Sequence, residues 1–323
     1  MAQGCKHSNC WPEDTGCNIE GEADYRQCKY WQSSGDGKDE SVSNQTADQI
    51  LPWHGNSLGT TDLFFVAGRS QPLVIGVVGA QSAGKTTFLS SLYLSLNKTP
   101  QLTTGSFAGS YTLGGWENIA HYLRWDGNRY PGFPPHTTSE QSRIPGLLHV
   151  AFRNPKGQLR DILFTDAPGE WFSRWAVDKH DPTAKGADWV DHFASGFLFF
   201  VDSEAFAGNQ RGIARSDLQN LLHQLSATVR NRPVAVIWAK SDVAIAEAIR
   251  RRLQTDFQST LKNYKEFAVF AAPKDTMAEN RGEGVSDSVE WVLESVETVR
   301  NAAIRIPPVL DSDAFLAYRG REL

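Results

Sequence analysis

"GVVGAQSAGKTTFLSSLYLSL", residues 76–96, is the stretch on which the fold turns. Its centre, Gly79-Ala80-Gln81-Ser82-Ala83-Gly84-Lys85-Thr86, has the spacing G-x4-G-K-T. Glycines at those places let the backbone turn so that successive N–H groups point inward, at the positive end of the helix that follows. Such a ring of amides suits phosphate oxygens. Lys85 is placed to reach the β- and γ-phosphates of a nucleotide, and the Thr86 hydroxyl to bind Mg2+. Gly79, Gln81, Ser82, Ala83, Gly84 and Thr87 line the remaining cradle. Upstream, "PLVIGVVGA" (72–80) is an apolar run of strand length, and downstream Phe88, Leu89, Leu92, Tyr93 and Leu96 recur at helical spacing. The loop therefore joins a strand to a helix, the context its mechanics require.

Further along, "LLHVAFRNPKGQLRDILFTD" (147–166) reads as two strands around a turn, an antiparallel hairpin ending at Asp166. "GFLFFVDSEAF" (196–206), "PVAVIWAKSD" (233–242) and "EFAVFAAPKD" (266–275) are three more apolar strands. Amphipathic helical patterns separate them at 218–229 and 244–261 and close the series at 285–300. This alternation predicts an α/β fold, a three-layer α/β/α sandwich on a mainly parallel sheet with one antiparallel strand.

The strand ends carry the chemistry. Asp166 and Gly169, in "FTDAPGE", have D-x-x-G spacing: the carboxylate can hold a water on Mg2+ and the glycine N–H can meet a γ-phosphate. In "WAKSD", Asp242 suits the N1 and N2 donors of guanine, and the Lys240 stem suits the face of the ring. Adenine offers no such donor pair, so a buried Asp242 facing the base rejects it. An ordinary helix N-cap is the plainer reading of Asp242. After the last strand, the N–H groups of Ala271 and Ala272 are placed for the base carbonyl.

Between Asn97 and Gly146 lies more chain than a minimal phosphate-sensing loop needs. It contains "GWENIAHYLRW", with Trp116, Ile119, Ala120 and Leu123 on one face, read as packing. Thr137 and Thr138 are the threonines placed to complete a Mg2+ shell and sense the γ-phosphate; a solvated turn is the alternative. Arg124, Arg129 and Arg143 are the basic residues near enough in sequence to stabilise a transferring phosphoryl, and each reads equally well as a surface charge. His121, His136, His180, His192 and His223 have no metal-ligand spacing.

All four cysteines, Cys5, Cys10, Cys17 and Cys28, fall in the opening segment of a 323-residue chain. In a reducing compartment such a cluster, with His7 as the spare ligand, points to structural Zn2+ and to a docking role, with free thiols or disulfides as the alternative. Residues 32–48 are polar, acidic and rich in Gly and Ser, a linker composition. The expected organisation is a Cys-rich segment (1–31), a linker (32–62), a nucleotide-binding domain (63–303) and a tail (304–323). A net charge of −5 and pI near 5.9 argue against a nucleic-acid-coating surface. No apolar run is long enough to span a bilayer and the first residues lack a signal-peptide layout, so a cytoplasmic location is expected.

The order "GAQSAGKT", a Thr-bearing loop, "DAPG", "AKSD" and "AAPK" resembles the five nucleotide-binding motifs of P-loop GTPases of the translation-factor-related, Ras-like class, over roughly residues 71–303. "SYTLGGWE", "DAPGE" and the Cys-rich front resemble, more narrowly, the double-GTPase-like proteins of bacterial conflict systems. The resemblance implies a Ras-like fold, GTP or GDP with Mg2+, a switch module beside protein partners that dock through the zinc segment and switch loops, and a place in antiphage defence. A dimer or larger assembly fits such a module. Three positions depart from the pattern. Ala239 stands where Asn or Thr ties the base loop to the phosphate loop. Glu170 stands where Gln orients the attacking water, so its carboxylate would take that role beside phosphate charge. Gln81 and Ser82 crowd the approach of an arginine. Slow hydrolysis is expected, with Lys85, Thr138 and Glu170 as the catalytic set. A scaffold that holds nucleotide without turnover, and an ATPase of the same fold, stay open as alternatives.

Overall fold

The computed structural model describes residues 4–5, 30–32, 57–68, 70–124, 133, 145–270, 282 and 284–303. The chain divides into two units, Met1–Leu51 and Pro52–Leu323. In the first, Gly4–Cys5 and Trp31–Gln32 form a two-residue antiparallel ladder, with Cys5 opposite Trp31. Cys10, Cys17 and Cys28 lie outside the described residues.

The second unit is built on an eight-stranded sheet. Its strands are β1 (Leu73–Val78), β2 (Gln101–Leu102), β3 (Gly105–Gly109), β4 (Gly146–Arg153), β5 (Leu159–Asp166), β6 (Gly196–Asp202), β7 (Val234–Ala239) and β8 (Tyr264–Val269). They lie in the order β8-β7-β6-β1-β5-β4-β3-β2. The first five of that order run parallel. The predicted hairpin is present as β4 and β5 around Pro155-Lys156-Gly157, in full register from Gly146↔Asp166 to Arg153↔Leu159.

The sheet is larger than the sequence predicts. Where one antiparallel strand is expected, the edge carries antiparallel junctions at β5/β4, β4/β3 and β3/β2. Strands β2 and β3 occupy part of the stretch read as an extended loop. Their short lengths and mostly exposed side chains supply none of the apolar alternation that marks a strand. Residues 57–62, read as the end of the linker, belong to this unit: Leu58 forms an isolated antiparallel bridge with Leu147.

Helices cover both faces. On one, α2 (Lys85–Lys98), α3 (Leu113–Ala120) and α9 (Val285–Ala303) pack Phe88, Leu92, Trp116, Val289 and Val292 against Ile75, Phe164, Phe200 and Ile237. On the other, α4 (Gly169–Val177), α5 (Lys185–Phe193), α6 (Ser203–Ala207), α7 (Arg211–Val229) and α8 (Glu247–Thr260) bury Trp171, Val190, Phe206, Leu225 and Phe257 against Phe197, Phe199 and Trp238. The short helix α1 (Leu63–Ala67) sets Val66 over Val74, Leu147 and Leu163. Because β6 and β7 are covered on both sides, they are apolar at nearly every position rather than alternating, as a buried parallel strand must be. In parallel strands the carboxyl ends share one edge, and that edge is where an open α/β sheet binds its ligand.

Candidate functional site

The phosphate loop leaves β1 at Val78. Gly79 passes so close to β6 that a β-carbon there would stand 2.7 Å from Phe200 Cβ. Ser82 (φ 61) and Gly84 (φ 86) are both left-handed, the backbone sequence that turns N–H groups into a concavity. Helix α2 then starts at Lys85. Lys85 is only 7% exposed, and its ammonium donates to the carbonyls of Gly79 at 2.9 Å and Ala80 at 2.8 Å. Burial pulls its pKa down to about 8, against the upward pull of the Asp166 and Glu170 carboxylates.

Asp166 ends β5 and faces the start of α2: the Thr86 hydroxyl donates to Asp166 Oδ1 at 3.3 Å. Just before it, the Thr165 hydroxyl accepts the Val77 N–H at 2.9 Å, where the β1–β5 ladder has ended at Ile75. The strands separate there and leave the loop and Asp166 to face each other. Gly169, the first residue of α4, is pressed against the loop: a β-carbon would come 2.3 Å from Gln81 N and 2.5 Å from Ala80 C. Only a residue without a side chain fits. Glu170 follows in the first turn of α4.

At the ends of β6 and β7, Lys240 takes a left-handed backbone (φ 55). Its ammonium donates to Asp202 Oδ2 and Glu204 Oε2, both at 2.9 Å. Asp242 is exposed two residues on. Ala239 lies beside the phosphate loop, 3.7 Å from the β-carbon position of Gly84.

Lys85, Thr86, Asp166 and Gly169 are thus brought to one place, with Gln81 and Ser82 exposed at its lip. Thr87 sits in the first turn of α2, partly exposed, and Ala83 is buried under the loop. Thr137, Thr138, Ala271 and Ala272 lie outside the described residues. Arg124 pairs with Glu117 at 2.5 and 3.0 Å, and that bond holds the Glu117 carboxyl below the usual carboxylate range.

A family profile described as Double-GTPase 2 matches residues 73–292, from the first strand of the sheet into its last helix. The chain belongs to the Double-GTPase 2 family. No curated protein matches it. Family membership makes a guanine nucleotide, with Mg2+, the ligand class to expect here, and the matched span contains every strand that contributes to the sheet edge just described. Thr86 and Asp166 offer two hard oxygen donors close together, a set suited to Mg2+ rather than to a soft metal. No group of three or more potential metal ligands occurs among the described residues, and no helix among them is long and apolar enough to cross a membrane.

One feature of this double-GTPase chain escapes a motif reading. His149 and Asp161 form a buried pair across the hairpin, His149 Nε2 to Asp161 Oδ1 at 2.9 Å, with both side chains at most 1% exposed. The Tyr111 N–H donates to His149 Nδ1 at 3.0 Å, so in this arrangement Nε2 carries the proton given to Asp161. The Ser70 hydroxyl donates to Asp161 Oδ2 at 2.6 Å. The His149 carbonyl accepts from Ser110 Oγ at 2.6 Å and from Trp116 Nε1 at 2.8 Å. The "SYTLGGWE" segment is thereby fastened to β4. The signal was a polar residue in each of two apolar strands, two positions apart in register, the diagonal at which long side chains still meet.

Proposed function

We propose that the chain is a Mg2+-dependent guanine-nucleotide switch that hydrolyses GTP slowly. The observation that carries this reading is the convergence of Lys85, Thr86 and Asp166 at the carboxyl edge of the sheet. In the proposed cycle the left-handed loop 79–84 presents its amides to the phosphates, and Lys85 supplies the ammonium. Thr86 and Asp166 hold the cation, directly and through water, with Thr137 or Thr138 completing the shell. Bound Mg2+ would neutralise charge building on the phosphate oxygens.

Gly169 supplies the sensing. Its backbone rests against Gln81, so a terminal phosphate entering between the loop and α4 bonds the Gly169 N–H and resets the first turn of that helix. Glu170 comes with it. Its carboxylate orients water or accepts its proton, and it also repels the phosphate, which favours slow turnover. Asp242 reads the base. Protein partners dock through the switch segments and the Cys-rich unit, with Zn2+ held by Cys5, Cys10, Cys17 and Cys28. A role in bacterial conflict or antiphage defence is part of the proposal and is supported by the resemblance of "SYTLGGWE" and "DAPGE".

A second reading, a scaffold that holds nucleotide without turnover, is favoured by Ala239 and Glu170. Single-turnover hydrolysis with Mg2+, with and without partner proteins, separates the two. Slow formation of GDP supports the switch, and no phosphate release under any condition selects the scaffold. In the same experiment Lys85→Ala is expected to abolish nucleotide binding. Unchanged binding by that variant would overturn the site assignment, and equal affinity for ATP and GTP would overturn the guanine reading.

A further inference from the structure

Lys240 raises a question that the motif does not answer. The residue before it, Ala239, has no polar side chain to tie the base loop to the phosphate loop, although a β-carbon on Gly84 would stand only 3.7 Å from Ala239 Cβ. Lys240 is also a non-glycine residue with left-handed backbone, φ 55, a conformation that persists only where neighbouring structure enforces it. The turn has some backbone support: Val243 N–H donates to the Lys240 carbonyl at 2.9 Å and Ser241 N–H to the Val269 carbonyl at 3.2 Å. Neither bond positions the lysine stem.

The side chain is held from the neighbouring strand. Asp202 closes β6 and Glu204 lies in the first turn of α6, and both carboxylates accept from Lys240 Nζ at 2.9 Å. Asp202 is itself fixed, because its other oxygen, Oδ1, accepts the Glu204 N–H at 3.0 Å and caps α6. A lysine gripped at its tip by two acids on one rigid element has a fixed stem. From the geometry we infer that Asp202 and Glu204 are positioning residues of the base site. They act through Lys240 and do the tethering that Ala239 cannot, so that the stem is already set where a guanine ring would lie. The inference rests on the guanine reading above. The two acids are not equivalent. The Asp202 side chain is 13% exposed and that of Glu204 60%, so solvent weakens the second bond.

The test is displacement of a fluorescent GDP analogue by GDP and by ATP, on the full chain and on D202N, E204Q, K240A and D202N/K240A. Asparagine still caps a helix, and thermal melts check that each variant is folded. D202N is expected to weaken GDP binding about tenfold, the scale of one charged hydrogen bond. E204Q should lose about threefold or less. ATP affinity should hold, so the preference for guanine narrows. On the K240A background D202N should add nothing, because the acid acts through the lysine. A loss of full size on that background, or GDP affinity within about twofold of the parent in both D202N and E204Q, overturns the clamp. If the parent prefers guanine while both variants keep that preference, the clamp alone falls. A parent indifferent to the base removes the guanine reading and the clamp together.

Discussion

Lys85 is a buried cation whose surroundings pull in opposite directions. Its folded-state pKa of about 8 lies below the ordinary value of 10.5 because burial outweighs the nearby carboxylates. Between those two values the unfolded chain holds more protons than the folded one, so the stability attributable to this group rises as pH rises through the window. Phosphate binding has the opposite sign, since it needs the ammonium. Melts and GDP titrations at pH about 7 and about 9.5 should show affinity falling while the Lys85 share of stability grows. Lys85→Met should flatten the stability trend. Gly169 is the second residue at which one atom decides. Gly169→Ala would set a methyl group against the backbone of Ala80 and Gln81, with an expected cost of about 1–3 kcal/mol in urea unfolding and a loss of guanine-nucleotide affinity. Wild-type stability and affinity in that variant would show that the helix does not press on the loop.

The hairpin of β4 and β5 works as a unit, because it carries Asp166 at one end and anchors the segment after β3 through His149. His149→Ala leaves the buried Asp161 carboxyl group without its imidazole partner, and the loss of one hydrogen bond to a buried charged group costs about 1.5–3 kcal/mol. Denaturant unfolding should show a loss of that size, and a change below about 1 kcal/mol would mean that the pair is not a stabilising contact. This element also shows what the sequence made legible. The hairpin, its turn and the placement of Asp166 were readable because eight-residue apolar strands around Asn154-Pro155-Lys156-Gly157 leave little choice. The His149–Asp161 contact was not, since a histidine in "LLHVAFR" has no partner within its own segment and only the strand register supplies one. Strands β2 and β3 were hidden for a related reason: at an exposed edge, Gly and Ser satisfy the ladder without any hydrophobic pattern. The acids that hold Lys240 were visible as residues, yet their target lies just past the end of β7, 36 to 38 positions away.

At the scale of the molecule, the nucleotide reading lives in the unit Pro52–Leu323. That unit has its own sheet, its own cores on both faces and all of the phosphate-edge residues. A chain beginning at Pro52 is therefore expected to fold cooperatively and to bind GDP as tightly as the full protein, measured by calorimetry. A loss of more than about tenfold would show that the Cys-rich unit contributes to the site. Metal analysis of both chains belongs in the same experiment: Zn2+ should accompany the full chain and be absent from the shorter one.

The Val77 amide, bonded to the hydroxyl of Thr165 in the position next to Asp166, makes one backbone proton a reporter on the proposed cation site. If ligand draws Asp166 toward the loop as proposed, the threonine rotor should be stilled with it and deuterium uptake at Val77 should slow. In Thr165→Val the same proton loses its acceptor, and its isotope exchange should quicken whether or not ligand is present.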